Sequence, residues 1–347
     1  MDRPSKRRKF LVYLTHLSTA ACQFSLTFAA MNTLQFLKDW TLPVAMVTGT
    51  LVYLLFAFVP WLDGPATLFA PFFDAILPLF MFLILFVTFC KVDFRRLRPV
   101  GWHLWVGVFQ ILFVAILMGV ILILRLRGDH LILTEAILCC IIGPTAAAAA
   151  VVTQKLGGSL EEMTTYTFIS NFITVALIPI CFPMIEKGHD ISFTAAFLKI
   201  LREVVLVLLV PMLLAYIVKH HLHGLHRRVI SVKDLSYYMW GLSLMIVTGT
   251  TVKNIVHAET TVLFLFCIAL MGLMLCIVQF AVGRFVGHYF GRTVEAGQAL
   301  GQKNTAFAIW MAYTYLNPLS SVGPGCYILW QNIINSIEIW QKRKEGS

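Results

Sequence analysis

The chain has 347 residues, of which 59% are hydrophobic and only 13% charged, and its mean hydropathy is +0.81. That composition excludes an ordinary soluble globular protein and points to a polytopic protein of the lipid bilayer. The formal net charge of +10 sits largely at the ends of apolar stretches, so it reflects membrane topology and not a nucleic-acid partner.

Residues 1–30 open with Arg3, Lys6, Arg7, Arg8 and Lys9 and continue as an apolar run, Phe10 to Ala30, interrupted by Thr15, His16, Ser18, Thr19, Gln23 and Ser25. A spanning helix here would invert the charge asymmetry of everything that follows. A signal peptide ending near Ala29 and Ala30 is the weaker alternative, because its apolar core is too polar. Two readings stay open: a natural start at Met31, or an amphipathic helix lying on the membrane surface.

Residues 31–344 read as a single membrane domain. A spanning helix needs about 20 mostly apolar residues, and ten such stretches occur, near 41–61, 69–90, 100–124, 132–154, 161–185, 200–219, 235–256, 260–287, 295–316 and 319–340. With residue 40 in the cytoplasm, fifteen Lys and Arg residues fall on the cytoplasmic side and six on the other, which predicts cytoplasmic termini for the ten-helix core in an inner or plasma membrane. Trp40, Trp61, Trp102, Trp105, Trp240 and Trp340 lie near segment ends, as interfacial anchors do. The eight cysteines, none in CxxC spacing, read as small buried hydrophobes. His220, His221, His223 and His226 sit beside Arg227 and Arg228 in a connection that reads as a solvated basic turn. No metal site, cofactor motif or catalytic motif is apparent, and no facing pair of intramembrane aspartates supports an enzyme.

Two stretches are interrupted. The fourth runs from Ile132 to Ile142, then meets Gly143-Pro144-Thr145 and five alanines, Ala146 to Ala150; proline removes a donor and should break the helix near Gly143. The ninth meets Gly301 and then Gln302, Lys303, Asn304 and Thr305. From Thr41 to Pro144 and from Lys199 to Gln302 the separation is the same, 103 residues. An all-α fold of ten helices in two inverted five-helix repeats follows, repeat one spanning about 41–185 and repeat two about 199–341, with helices 4 and 9 discontinuous. Lys303, an ammonium near mid-membrane, costs several kcal/mol even on lenient scales and marks a site.

Several places together resemble the bile acid:sodium symporter family: Leu79 to Phe94 followed by Arg95 to Pro99, Gln110, Gly143-Pro144-Thr145-Ala146, Gly301 with Asn304-Thr305, and Pro324 to Asn335 including Trp330-Gln331-Asn332. The resemblance runs from about Leu34 to Lys344. It implies a panel and a core domain, alternating access, and two sodium sites beside the crossing of helices 4 and 9. Carried over residue by residue, the family's sodium ligands fall on Ala147, Ala148, Met163, Thr167, Ala299 and Lys303, while Gln110 is retained. Alanine and methionine side chains offer sodium no hard oxygen, and an ammonium at 4 Å repels it by about 4 kcal/mol at an effective dielectric constant near 20. Sodium is therefore not expected at the usual positions.

The expected function is secondary transport of an organic anion, bile-acid-like or a small carboxylate. Thr145, Lys303, Asn304, Thr305, Gln110, Gln331 and Asn332 are the candidate substrate contacts; Lys303, Gln302 and Thr167 are the candidates for ion coupling. Lys303 serves either as a permanently charged tethered cation or as a proton-exchanging group. The alternatives are sodium coupling through a rearranged site, an uncoupled facilitator, and a non-transporting receptor or scaffold. The expected partners are the anion and the bilayer, with no nucleic acid; sequence leaves monomer or homodimer open.

Overall fold

A computed structural model describes residues 41–59, 63–186, 192–232, 235–258 and 260–345. The readings of residues 1–30, and of Trp40, Trp61 and Lys233, lie outside them. The described residues from Met46 onward form one compact unit.

The described residues are helical in chain order: α1 (Thr41–Phe58), α2 (Asp63–Cys90), α3 (Gly101–Ile123), α4 (Gly128–Ile142), α5 (Ala149–Lys155), α6 (Leu160–Ile185), α7 (Phe193–Leu208), α8 (Val210–His221), α9 (His223–Ser231), α10 (Leu235–Val256), α11 (Val262–Tyr289), α12 (Thr293–Gly301), α13 (Thr305–Tyr315) and α14 (Val322–Glu345). Among them is no β-strand, only an isolated antiparallel bridge between Thr145 and Lys303. Helices thus occupy each of the ten apolar stretches. Among the described residues, four segments are by length and composition long and apolar enough to cross a membrane: α3, α6, the α7–α8 pair over Phe193–His221, and α11.

Local chemistry explains where these helices start and stop. Ser159, Ser192 and Thr261 accept hydrogen bonds from the backbone N–H groups of Glu162, Ala195 and Phe264 and so cap α6, α7 and α11. Pro211, in the first turn of α8, cannot continue the hydrogen-bond ladder of α7 and separates the two. The α4–α5 gap follows from Pro144, which excludes the helical region for the residue before it: Gly143 takes φ −61°, ψ 152°.

Packing divides the helices. α2 lies against α8 and α10, whereas α3, α4, α11, α12 and α14 pack among themselves, with α6 against α3 and α7. α11 approaches α12 closely through Gly283 and Gly287. An ideal Cβ on Gly283 would lie 2.3 Å from the Ala296 carbonyl oxygen, and one on Gly287 2.3 Å from that of Arg292. Glycines four apart let the two backbones touch, which is the means by which helices associate where lipid supplies no hydrophobic driving force.

The cysteines Cys90, Cys139, Cys140, Cys181 and Cys276 are buried, and Cys267 and Cys326 partly so. In the histidine-rich connection, His220 and His226 turn ring nitrogens to the carbonyls of Tyr216 and Cys90.

Candidate functional site

α4 and α12 both end inside the molecule, and their continuations α5 and α13 begin several residues later. The two extended linkers cross and pair. Ala146 N–H donates to Gln302 O at 3.0 Å and Asn304 N–H to Pro144 O at 2.8 Å, which makes the Thr145–Lys303 bridge. Each broken helix thereby satisfies part of the other's severed ladder.

Side chains from the surrounding helices complete that repair. Thr145 N–H donates to Ser170 Oγ at 2.7 Å, and Thr145 Oγ1 donates to Ala299 O at 2.7 Å. The carbonyls that end α4 accept from Thr174 Oγ1 (Ile142 O, 3.0 Å) and from Gln110 Nε2 (Gly143 O, 3.3 Å). Tyr327 donates its hydroxyl to Gly301 O at 2.7 Å and accepts from Gln279 Nε2 at 3.1 Å. Gln331 grips the linker from α14: its Oε1 accepts from Lys303 N–H at 2.9 Å, and its Nε2 donates to Lys303 O at 3.3 Å. Asn304 caps α13 by accepting from Phe307 N–H. Gly301 is required by proximity, since a Cβ there would sit 2.4 Å from the Phe280 ring.

Lys303 is 2% exposed. Its Nζ donates to Gly143 O at 3.3 Å, so the ammonium lies at the carbonyl end of α4, where the helix dipole is negative and a cation is favoured. An ammonium has three N–H donors, and among the described residues Gly143 O is the acceptor within reach. No carboxylate lies within 4.0 Å of it among those residues. A purely structural role would pair Lys303 with a distant acid such as Asp74, Glu135 or Glu203; Glu135 instead accepts from Ser320 and Asn317, Glu203 makes no ion pair with Lys303, and the Asp74 side chain is outside the described residues.

The structure therefore gathers Thr145, Lys303, Asn304, Thr305, Gln110 and Gln331 at the crossing. Gln302 joins them through its backbone, while its buried Oε1 accepts no hydrogen bond among the described residues, and neither does Gln110 Oε1. Two candidates are engaged elsewhere: Asn332 donates to Ile328 O and Thr167 to Met163 O, each one turn back in its own helix. Most polar side chains at the crossing spend their hydrogen bonds on backbone. The part-exposed edge of the crossing is Ala146, Ala147, Ala148, Asn304 and Ala306. Sequence reasoning missed the service of Tyr327, Gln279 and Thr174 to this site; the available signal was a polar side chain inside an otherwise apolar helix.

Facing the α11–α12 turn, Glu162 accepts from Trp102 Nε1 at 2.9 Å and from Arg292 Nε at 2.8 and 2.9 Å, and Glu295 accepts from Ser159 N–H at 2.8 Å. The Glu162 carboxylate holds the Arg292 guanidinium still more firmly in its charged form.

The family model described as Sodium Bile acid symporter family matches residues 78–258, just over half of the chain. The match includes the break after α4 and stops before α12. No curated protein matches the chain.

Proposed function

Because the chain belongs to the sodium bile acid symporter family, a family of membrane transporters, we propose that it carries an organic anion across the bilayer by alternating access, with Lys303 as a tethered cation at the helix crossing. One observation carries this reading: a buried ammonium, with one acceptor among the described residues, sits on the carbonyl end of a broken helix, where two linkers pair in antiparallel fashion.

In this reading the chain is a ten-helix fold of two inverted repeats. The helices packed around α2, α8 and α10 serve as a panel and those around α3, α4, α11, α12 and α14 as a core that rocks against it, consistent with their packing. Both ends of the ten-helix core face the cytoplasm. The anion approaches the part-exposed edge at Ala146–Ala148 and Asn304, next to the N-terminus of α13, and feels the Lys303 charge there. The donor set does not suit sodium at the positions the family resemblance implies. Ala147, Ala148, Met163 and Ala299 have no side-chain oxygen, Thr167 is engaged within its own helix, and Lys303 is itself a cation.

Purified protein in proteoliposomes, offered a panel of radiolabelled monocarboxylates and sterol acids under separate sodium and proton gradients, tests this. Uptake of a carboxylate without dependence on a sodium gradient is expected. Stimulation by sodium at ordinary concentrations would refute the tethered-cation reading.

A further inference from the structure

Glu135 is the buried charge-bearing group of α4. It lies eight residues before Gly143, hence about 12 Å along the axis from the crossing, and it is 0% exposed. Its two oxygens are treated unequally. Oε2 accepts from Ser320 Oγ at 2.5 Å and from Asn317 N–H at 3.4 Å. Oε1 is buried and has no hydrogen-bond partner among the described residues. The elements packed on α4 are α3, α6, α11, α13, α14 and the turn Pro318–Ser321. Among the described residues none brings a Lys, Arg or His within 4.0 Å of Glu135. The titratable groups around it are Cys139, one turn along α4, and Glu186, where α6 ends. Neither supplies a positive charge.

A carboxylate in such a place would bury a net negative charge with half of its acceptor capacity unmet. A carboxylic acid has no charge to compensate. A proton also fits better than a metal ion: an oxygen pair at 2.5 Å is a hydrogen-bond distance, and the Asn317 N–H points its donor at the same carboxyl.

We infer that Glu135, with Ser320 and Asn317, forms a proton-binding site in the half-helix that leads to the crossing, and that the proton it holds is the coupling ion of the transport cycle. The proton adds to a carboxylate oxygen from water on one side and is returned to water from the same oxygen; no other bond forms or breaks. The coupling to transport rests on the function proposed above, whereas the site itself does not. Charge links the two places. With an anion at the crossing about 12 Å away and an effective dielectric constant near 20, that anion binds about tenfold more tightly when the carboxyl is protonated.

Infrared difference spectroscopy on the full chain in proteoliposomes, stepped between acid and alkaline pH, reads the site without any substrate. The wild type should show the carbonyl stretch of a buried carboxylic acid at neutral pH. Glu135→Gln, which keeps the shape of the protonated form, should lose that band, and Ser320→Ala should shift its frequency without removing it. Absence of a band that depends on Glu135 overturns the proposal. So does a sodium-dependent rise in thermal midpoint that Glu135→Gln abolishes, since it would show a metal at the carboxyl. Should the band behave as expected while no anion is taken up, the transport reading fails and the proton site stands.

Discussion

Replacement of Lys303 by methionine separates what the ammonium does for the fold from what it does for the substrate. Methionine keeps most of the unbranched stem and removes the charge. Its loss of the bond to Gly143 O costs about 1.5–3 kcal/mol, the range for hydrogen bonds to charged groups. Against this, an ammonium that finds one acceptor for three donors carries a burial penalty of several kcal/mol, which disappears. Fold stability should hence be unchanged or rise by roughly 0–3 kcal/mol. Transport should move the other way. For a carboxylate bound at the part-exposed edge, a separation of about 8 Å from the ammonium in a medium of effective dielectric near 20 corresponds to roughly 2 kcal/mol of lost attraction, or about 30-fold in binding. The paired measurements are the thermal midpoint in detergent and the concentration dependence of carboxylate uptake in proteoliposomes. Unchanged uptake would refute the role of Lys303 toward the substrate. A large loss of stability would show that a compensating partner holds the ammonium.

Gly283→Ala places a methyl group against the Ala296 carbonyl and should lower stability by about 1–3 kcal/mol, read as a lowered thermal midpoint; an unchanged midpoint would deny the close α11–α12 approach. Gln331→Leu leaves the N–H of Lys303 unpaired and its C=O with the Thr305 N–H alone, at about 1–3 kcal/mol for the orphaned donor. It should speed amide exchange in the 302–304 linker, and unaltered exchange there would count against the clamp. Glu162→Gln weakens its bonds to Arg292 and Trp102. Because Arg292 is 43% exposed, the loss should stay near or below 1 kcal/mol; it should also change Trp102 fluorescence and shrink at high salt.

Much of the helical order was legible because its causes are local. Pro144 breaks α4 by its own covalent geometry, and the serines and threonine that cap α6, α7 and α11 act within three residues. The cost of a charge at Lys303 was legible as well, since charge in an apolar stretch is costly wherever the chain goes. Gln110, Gln331 and Thr145 were recognised as polar residues of the site, yet their partners were not: each reaches across tens to more than a hundred residues of sequence to a backbone group that only a broken helix exposes. Asn332 looks equivalent to Gln331 in sequence but lies one position round the helix and bonds its own turn.

From sequence alone came the bilayer as solvent, the helical class, the two interruptions and the residue with the costliest charge, because composition, proline chemistry and desolvation act without reference to distant contacts. Tertiary structure alone decided that the two interruptions pair backbone to backbone, that the Lys303 ammonium turns to the carbonyl end of α4 and away from any described carboxylate, and that Glu135 is sealed under Ser320 and Asn317. Those outcomes depend on which severed backbone groups meet. Only the packing of helices far apart in the chain determines that.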